Sequence, residues 1–253
     1  TDSKGLPVEL HNAVWKLKQK KTVEIIDNFM PMDRVHKIYN YLSSREWDFI
    51  SELKSPTVKF QNRSLKHAGR STNDYFPIFR FPLRHVEDFL FKIKELYPDY
   101  IIYDDFVGGL NMPKDFSHVK HYDFFEDKHI PNKDDLIRFQ FYCVPEWKPE
   151  WGGNTEFYGR WRNEKTEPDV CEIKPNRLVQ FDWDEFHTGT PWDNNQGVQR
   201  MMLTGYLFKK GADYAAKKTY RYVFGRSKPY VELYPEEKEW TANCPVLESY
   251  PWN

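Results

Sequence analysis

His121 stands in His121-Tyr122-Asp123, at the end of a strand expected over residues 119–122. In a pleated strand, residues i and i+2 project from the same face, so this imidazole and carboxylate can grip one metal ion. His187, in Phe186-His187-Thr188-Gly189-Thr190-Pro191, follows an apolar strand expected over 178–183 across a short acidic turn and offers a third donor. Two imidazoles and one carboxylate form the facial set that suits non-haem Fe(II), with adjacent positions left for a bidentate co-substrate and dioxygen. Zinc in a hydrolytic site accepts the same donors and is the competing metal.

A His-x-acid pair alone is weak evidence, because His85-Val86-Glu87 is a second instance in this chain. That pair falls on an expected helix, where residues two apart diverge. Arg200 follows His187 by 13 positions, inside the apolar run Gln199-Arg200-Met201-Met202-Leu203-Thr204-Gly205-Tyr206-Leu207. An arginine in such a setting is expensive to bury without an anion, and a carboxylate ligand would give it a planar, bidentate partner. One of the protein's own acidic residues is the other candidate partner. The strand over 136–144 alternates Ile137, Phe139 and Phe141 with Arg138, Gln140 and Tyr142, so its polar face is expected to look into a site.

The elements that must position these groups follow from periodicity. A short strand is expected over 22–26, a helix over 32–47 with Val35, Ile38, Tyr39 and Leu42 on one face, and a second helix over 83–96 with Val86, Phe89, Leu90 and Ile93 in register. From Tyr100 the texture changes to short apolar or alternating runs separated by Gly, Pro, Asn and Asp. Strands are expected over 100–111, 119–122, 136–144, 154–158, 170–173, 178–183 and 199–208, the pattern of an all-β sandwich or barrel. The segment beyond Lys209 is rich in Tyr and Lys and carries no legible function.

Composition bounds the rest. The chain has 253 residues, 40% hydrophobic and 30% charged, with 17% aromatic, which describes a globular domain rather than a membrane protein or a long disordered chain. Lys+Arg at 37 against Asp+Glu at 38 gives a net charge of -1, so there is no overall field to hold nucleic acid or an anionic membrane. The basic run Lys16-Leu17-Lys18-Gln19-Lys20-Lys21 lacks interleaved aromatics and reads as a solvated segment. Cys143, Cys171 and Cys244 form neither a CxxC pair nor a Cys/His cluster, which argues against a disulfide framework. A reducing compartment fits, the chain starts without the layout of a secretory signal, and the expected localisation is cytoplasmic. One domain is expected over 23–210, with an extension at 1–22 and a second at 211–253 packed on the same domain.

The segment from about Val23 to Phe208 resembles the prolyl-4-hydroxylase-like branch of the 2-oxoglutarate/Fe(II) oxygenases. The resemblance rests on an ordered set: His121-x-Asp123; Phe141-Tyr142-Cys143-Val144 followed by Trp147; Gly152-Gly153-Asn154-Thr155-Glu156-Phe157; Pro175-Asn176-Arg177-Leu178-Val179-Gln180-Phe181; His187-Thr188-Gly189-Thr190-Pro191; and Arg200. It implies a mainly β protein with flanking α, a double-stranded β-helix (jelly roll, cupin-like) with helices packed on one side. It implies that His121, Asp123 and His187 bind iron and that Arg200 clamps the distal carboxylate of 2-oxoglutarate, with Tyr142 hydrogen-bonded to that carboxylate. Asn111 stands where the branch commonly has a tyrosine facing the co-substrate, and Asn can donate the same hydrogen bond with less bulk.

The implied cofactors are Fe(II), 2-oxoglutarate and O2, with ascorbate as an auxiliary reductant. The implied reaction is oxidation of an unactivated C–H bond, hydroxylation of a prolyl or other amino-acid residue, with release of succinate and CO2. The retained Asp123 favours hydroxylation, desaturation or ring closure over halogenation, which would need that position vacated. A free amino acid or small metabolite is the alternative substrate. A zinc-dependent hydrolase and a non-catalytic jelly-roll binding module are the readings from other classes. Arg70 to Pro77 and Arg160-Trp161-Arg162 either line the entrance for a peptide or a carboxylate-bearing substrate or are solvated loops with ordinary aromatic anchors, the reading that the high aromatic content favours. No nucleic acid or membrane partner is expected, and the chain is expected to be a monomer or homodimer.

Overall fold

The computed structural model describes residues 23–44, 78–79, 81–112, 120–121, 135–160, 165–194, 196–211 and 229–249. In chain order these form β1 (Val23–Ile26), α1 (Met32–Ser43), β2 (Ile78–Phe79), a 3-10 turn (Leu83–Val86) running into α2 (Glu87–Leu96), and β3 (Tyr100–Met112). Then come β4 (Leu136–Tyr142), β5 (Thr155–Arg160), β6 (Asp169–Cys171), β7 (Arg177–Asp182), β8 (Glu185–Gly189) and β9 (Arg200–Lys209). The chain closes with α3 (Tyr230–Leu233), α4 (Lys238–Asn243) and β10 (Leu247–Glu248).

The strands build two sheets. The larger has the order β1-β7-β4-β9-β3-β10 with β2 on β3, and the smaller runs β6-β5-β8. Within the larger sheet β7, β4, β9 and β3 are antiparallel neighbours although far apart in sequence. In the smaller, His121 forms an isolated antiparallel bridge with His187 of β8 and so takes the place beside that strand. Strands that alternate between two facing sheets in this order make a double-stranded β-helix, with helices on one side. The mainly β architecture expected from the alternating runs is the one observed.

Period-two alternation explains why the two faces differ. All seven residues of β4 are buried. Phe139 and Phe141 face the helices: Phe89 of α2 lies with its ring centre 5.7 Å from Phe139 and 5.0 Å from Phe141. The buried stripes Val35, Ile38 and Leu42 of α1 and Phe89, Leu90 and Ile93 of α2 complete this core. The other face, carrying Leu110, Tyr142, Val179, Phe181 and Met202, meets Phe157 and Cys171 of the small sheet in a second cluster. Burial of these apolar side chains is the main stabilising term, about 1.5–3 kcal/mol for each large one.

Two differences from the expected elements have physical reasons. The helix expected over 83–96 begins as a 3-10 turn, following Pro82, which cannot donate a backbone hydrogen bond. His187 lies within strand β8, in a segment whose polar composition hides a strand. The chain after 229 packs back on the domain: β10 pairs in parallel with β3, and the fully buried Glu237 bonds the Arg84 side chain and backbone. Tyr230 adds to that clamp through a hydrogen bond from the Leu83 amide. Residues 1–22, 45–77 and 212–228, with the basic run and most of the expected entrance loop, lie outside the described residues.

Gly205 is required where β9 passes β3. A Cβ there would come within 2.4 Å of the Phe106 carbonyl oxygen and 2.7 Å of the Phe139 ring, beside the irregular register between Ile102 and Val107. Gly205→Ala is expected to destabilise the protein by about 1–3 kcal/mol, the cost typical of overpacking a tight core, read as a lowered urea midpoint with an unchanged slope.

Candidate functional site

The histidine pair is fixed by backbone. His121 and His187 exchange both amide-to-carbonyl hydrogen bonds at 3.0 Å. Residues paired in this way across an antiparallel ladder project their side chains to the same face, and the two imidazole centres lie 4.5 Å apart. His187 is buried and packs its ring 4.9 Å from that of Phe181. Its Nδ1 lies 2.8 Å from the Glu185 carbonyl oxygen. A carbonyl only accepts, so Nδ1 carries the proton and the ring lone pair is on Nε2, the nitrogen left to ligate. Asp123, the carboxylate of the expected set, lies outside the described residues, and among those described no three His, Cys, Asp or Glu side chains gather into a metal cluster. Two imidazoles on one face, one with its tautomer set by the backbone, are a donor set that fits Fe(II).

Arg200 opens β9 and is completely buried. Its Nε donates to the Gly153 carbonyl at 2.7 Å, and its guanidinium carbon sits 5.9 Å from the Tyr142 ring centre. Burial pulls its pKa down to about 10, so it remains a cation at neutral pH. Gly153, at φ +78, makes room for it: a Cβ would lie 2.9 Å from Trp192 Cβ and 3.1 Å from Arg200 Nε. Gly152 is held by a hydrogen bond from Trp147 Nε1, and Trp147 packs edge-on against Trp151 and Trp192. The Gly152-Gly153 turn thus has a backbone role, bringing a carbonyl to the arginine.

Tyr142 is also completely buried, and desolvation raises its hydroxyl pKa, which keeps the O–H protonated. It shares a hydrogen bond of 2.7 Å with Thr155 Oγ1. Thr155 Oγ1 in turn lies 3.5 Å from Gln140 Oε1. The register pairs Tyr142 with Met202 and places both on the face that carries Arg200. Cation, phenol and buried threonine therefore share one end of the space between the sheets, with the histidine pair against Phe181 further along.

Asn111 is placed differently from expectation. It pairs with Met201, which belongs to the helix-covered core, whereas its neighbour Leu110 pairs with Met202 on the inner face. Its Nδ2 donates to Gln199 Oε1 at 3.0 Å, and the Gln199 amide bonds the Tyr39 hydroxyl of α1. Strand parity turns it away from Tyr142 and Arg200. The second His-x-acid pair is also accounted for: His85 stacks on Tyr41 with ring centres 3.8 Å apart, and Glu87 accepts from Trp240. Arg160, expected at the entrance, pairs with Asp182. Thr155 and Gln140 went unassigned in the sequence. The inward-facing polar stripe of β4 was the available signal for Gln140.

The double-stranded β-helix thus holds two histidines on one inner face and a buried arginine beyond them. Residues 108–208 match the model of the 2OG-Fe(II) oxygenase superfamily. The matched stretch holds His121, Asp123, Tyr142, His187 and Arg200, the residues expected to bind Fe(II) and 2-oxoglutarate. The chain is similar to a Pseudomonas putida prolyl-4-hydroxylase at 16% identity and TM-score 0.46, over 79% of this chain and 99% of that one. It is also similar to a Trichoplax adhaerens prolyl hydroxylase in complex with a hypoxia inducible factor oxygen degradation domain peptide fragment, at 15% identity and TM-score 0.47, over 80% and 90%. A comparison with curated proteins finds no match. No described helix is long and apolar enough to cross a membrane.

Proposed function

We propose that the chain hydroxylates a C–H bond of a prolyl or other amino-acid residue in a peptide, in the manner of the prolyl-4-hydroxylase-like branch that its motifs resemble. The balance is substrate C–H, O2 and 2-oxoglutarate to substrate C–OH, succinate and CO2. His121, Asp123 and His187 hold the iron. Arg200 and Tyr142 hold the distal carboxylate of 2-oxoglutarate. Bound iron and 2-oxoglutarate supply the oxidising power, and the protein's part is orientation and exclusion of water.

The observation that carries this reading is the buried Arg200 guanidinium beside a protonated phenol. A five-donor cation in a desolvated setting is suited to a carboxylate. Tyr142 can turn its O–H from Thr155 to that carboxylate, since the hydroxyl of Thr155 can act as donor or acceptor.

The test combines succinate formation with product mass. Incubation of the Fe(II)-loaded protein with prolyl peptides, 2-oxoglutarate and oxygen is expected to give a +16 Da peptide and one succinate per product. A +16 or -2 Da change on free amino acids, with peptides untouched, would move the substrate to the small-metabolite class. Succinate formation independent of Fe(II) would reject the site assignment.

A further inference from the structure

The inner face of the large sheet is organised in steps. Along β4, Tyr142 lies opposite Met202, Gln140 opposite Val179 and Thr204, and Arg138 opposite Phe181 and Tyr206. Arg200 stands at the Tyr142 end. His187 packs on Phe181, at the Arg138 step. Gln140 therefore occupies the step between the arginine and the histidines.

That step has few polar donors. Val179 is apolar, and the Thr204 hydroxyl is committed to the Phe139 carbonyl at 3.1 Å. Gln140 is only 4% exposed. Its Oε1 accepts from Thr155 Oγ1, and among the described residues its side chain makes no other hydrogen bond. That arrangement directs Nε2 and its two hydrogens elsewhere in the enclosed space. An amide N–H group at this step is a donor that an acceptor entering the space between the sheets can take up.

Length agrees. One i to i+2 step along a strand covers roughly 6.7 Å, and the terminal carboxyl carbons of an extended five-carbon diacid are about 5 Å apart. A 2-oxoglutarate anchored at the Arg200–Tyr142 step would reach the Gln140 step with its keto-acid end.

We infer that Gln140 is a third co-substrate-binding residue, donating from Nε2 to the 1-carboxylate of 2-oxoglutarate. This rests on the reading of Arg200 and Tyr142 as the seat of the distal carboxylate. Thr155 lies between the two: its hydroxyl is within hydrogen-bond distance of both Tyr142 and Gln140, and its single proton serves one of them at a time.

The test is calorimetric binding to the Fe(II)-loaded protein without oxygen, using 2-oxoglutarate and 2-oxopentanoate, which keeps the keto acid and lacks the distal carboxylate. Gln140→Leu is expected to weaken both ligands by the same factor, about tenfold or more for a lost hydrogen bond to a charged group. Gln140→Glu, nearly isosteric, is expected to weaken both further through like-charge repulsion. Arg200→Leu is expected to weaken 2-oxoglutarate alone. The ligand-free melting temperature of each variant checks folding. The inference is overturned if Gln140→Leu and Gln140→Glu leave 2-oxopentanoate affinity unchanged while Arg200→Leu behaves as expected. If Arg200→Leu leaves 2-oxoglutarate affinity intact, the underlying reading of the arginine fails instead.

Discussion

Arg200→Ala is expected to raise the 2-oxoglutarate concentration needed for half-maximal rate by about 150-fold or more, the equivalent of about 3 kcal/mol for one partner of a buried ion pair. The basis is the setting of the guanidinium. It has no exposed surface, burial has drawn its pKa down to about 10, and Nε is tied to the Gly153 carbonyl, which fixes the direction of the fork. A planar, pre-aimed cation binds a carboxylate with two parallel hydrogen bonds. Arg200→Lys keeps the charge and loses the fork, so it is expected to fall between wild type and alanine. Steady-state kinetics at varied 2-oxoglutarate with saturating substrate checks this. The signature is a raised KM for 2-oxoglutarate with a smaller change in kcat, because the arginine acts on binding rather than on the reacting carbon. An unchanged KM in the alanine variant would remove Arg200 from the site.

The arginine was legible in the sequence because its surroundings are unambiguous. A charged residue within Gln199 to Leu207 either meets an anion or pays a large desolvation penalty, and strand alternation in the same run gave β9 nearly to the residue. The other inner strands with clear alternation, β3, β4, β5 and β7, were legible for the same reason. β8 was not. Glu185-Phe186-His187-Thr188-Gly189 has one large apolar residue, and its strand character comes from pairing with β5 and His121, both remote in sequence. β10 is two residues long and pairs in parallel with β3 across the whole domain, which no local pattern encodes.

Asn111 marks the limit of spacing arguments near a strand end. A shift of one residue moves a side chain to the opposite face, and the position that shares the inner face with Tyr142 and Met202 is Leu110. Gln140 shows the converse. The sequence placed it correctly on the polar face of β4, but its chemical interest comes from its place between Arg200 and His187, which depends on three strands in register. Face is local information and level along a ligand is not.

His187→Gln is expected to abolish Fe(II)-dependent succinate formation, with a loss exceeding the roughly 10–100-fold that removal of an outer-shell partner typically costs a metal site. Glutamine is the informative replacement. It approximates the bulk of the ring that packs against Phe181 and Phe157, and the backbone bridge to residue 121 survives because both of its hydrogen bonds run between main-chain atoms. The variant is therefore expected to melt close to wild type. What it lacks is an imidazole Nε2 lone pair held in place by the Nδ1 bond to Glu185. Measured by metal analysis after desalting, iron retained by the variant is expected to fall well below that of wild type, with added Fe(II) restoring little activity. His121→Gln is expected to behave in the same way, since its ring stands 4.5 Å from that of His187 on the same face. If either variant keeps its iron and its succinate formation while the fold is intact, the two histidines are a packed pair beside the sheet rather than metal ligands. The iron site must then be sought elsewhere in the chain.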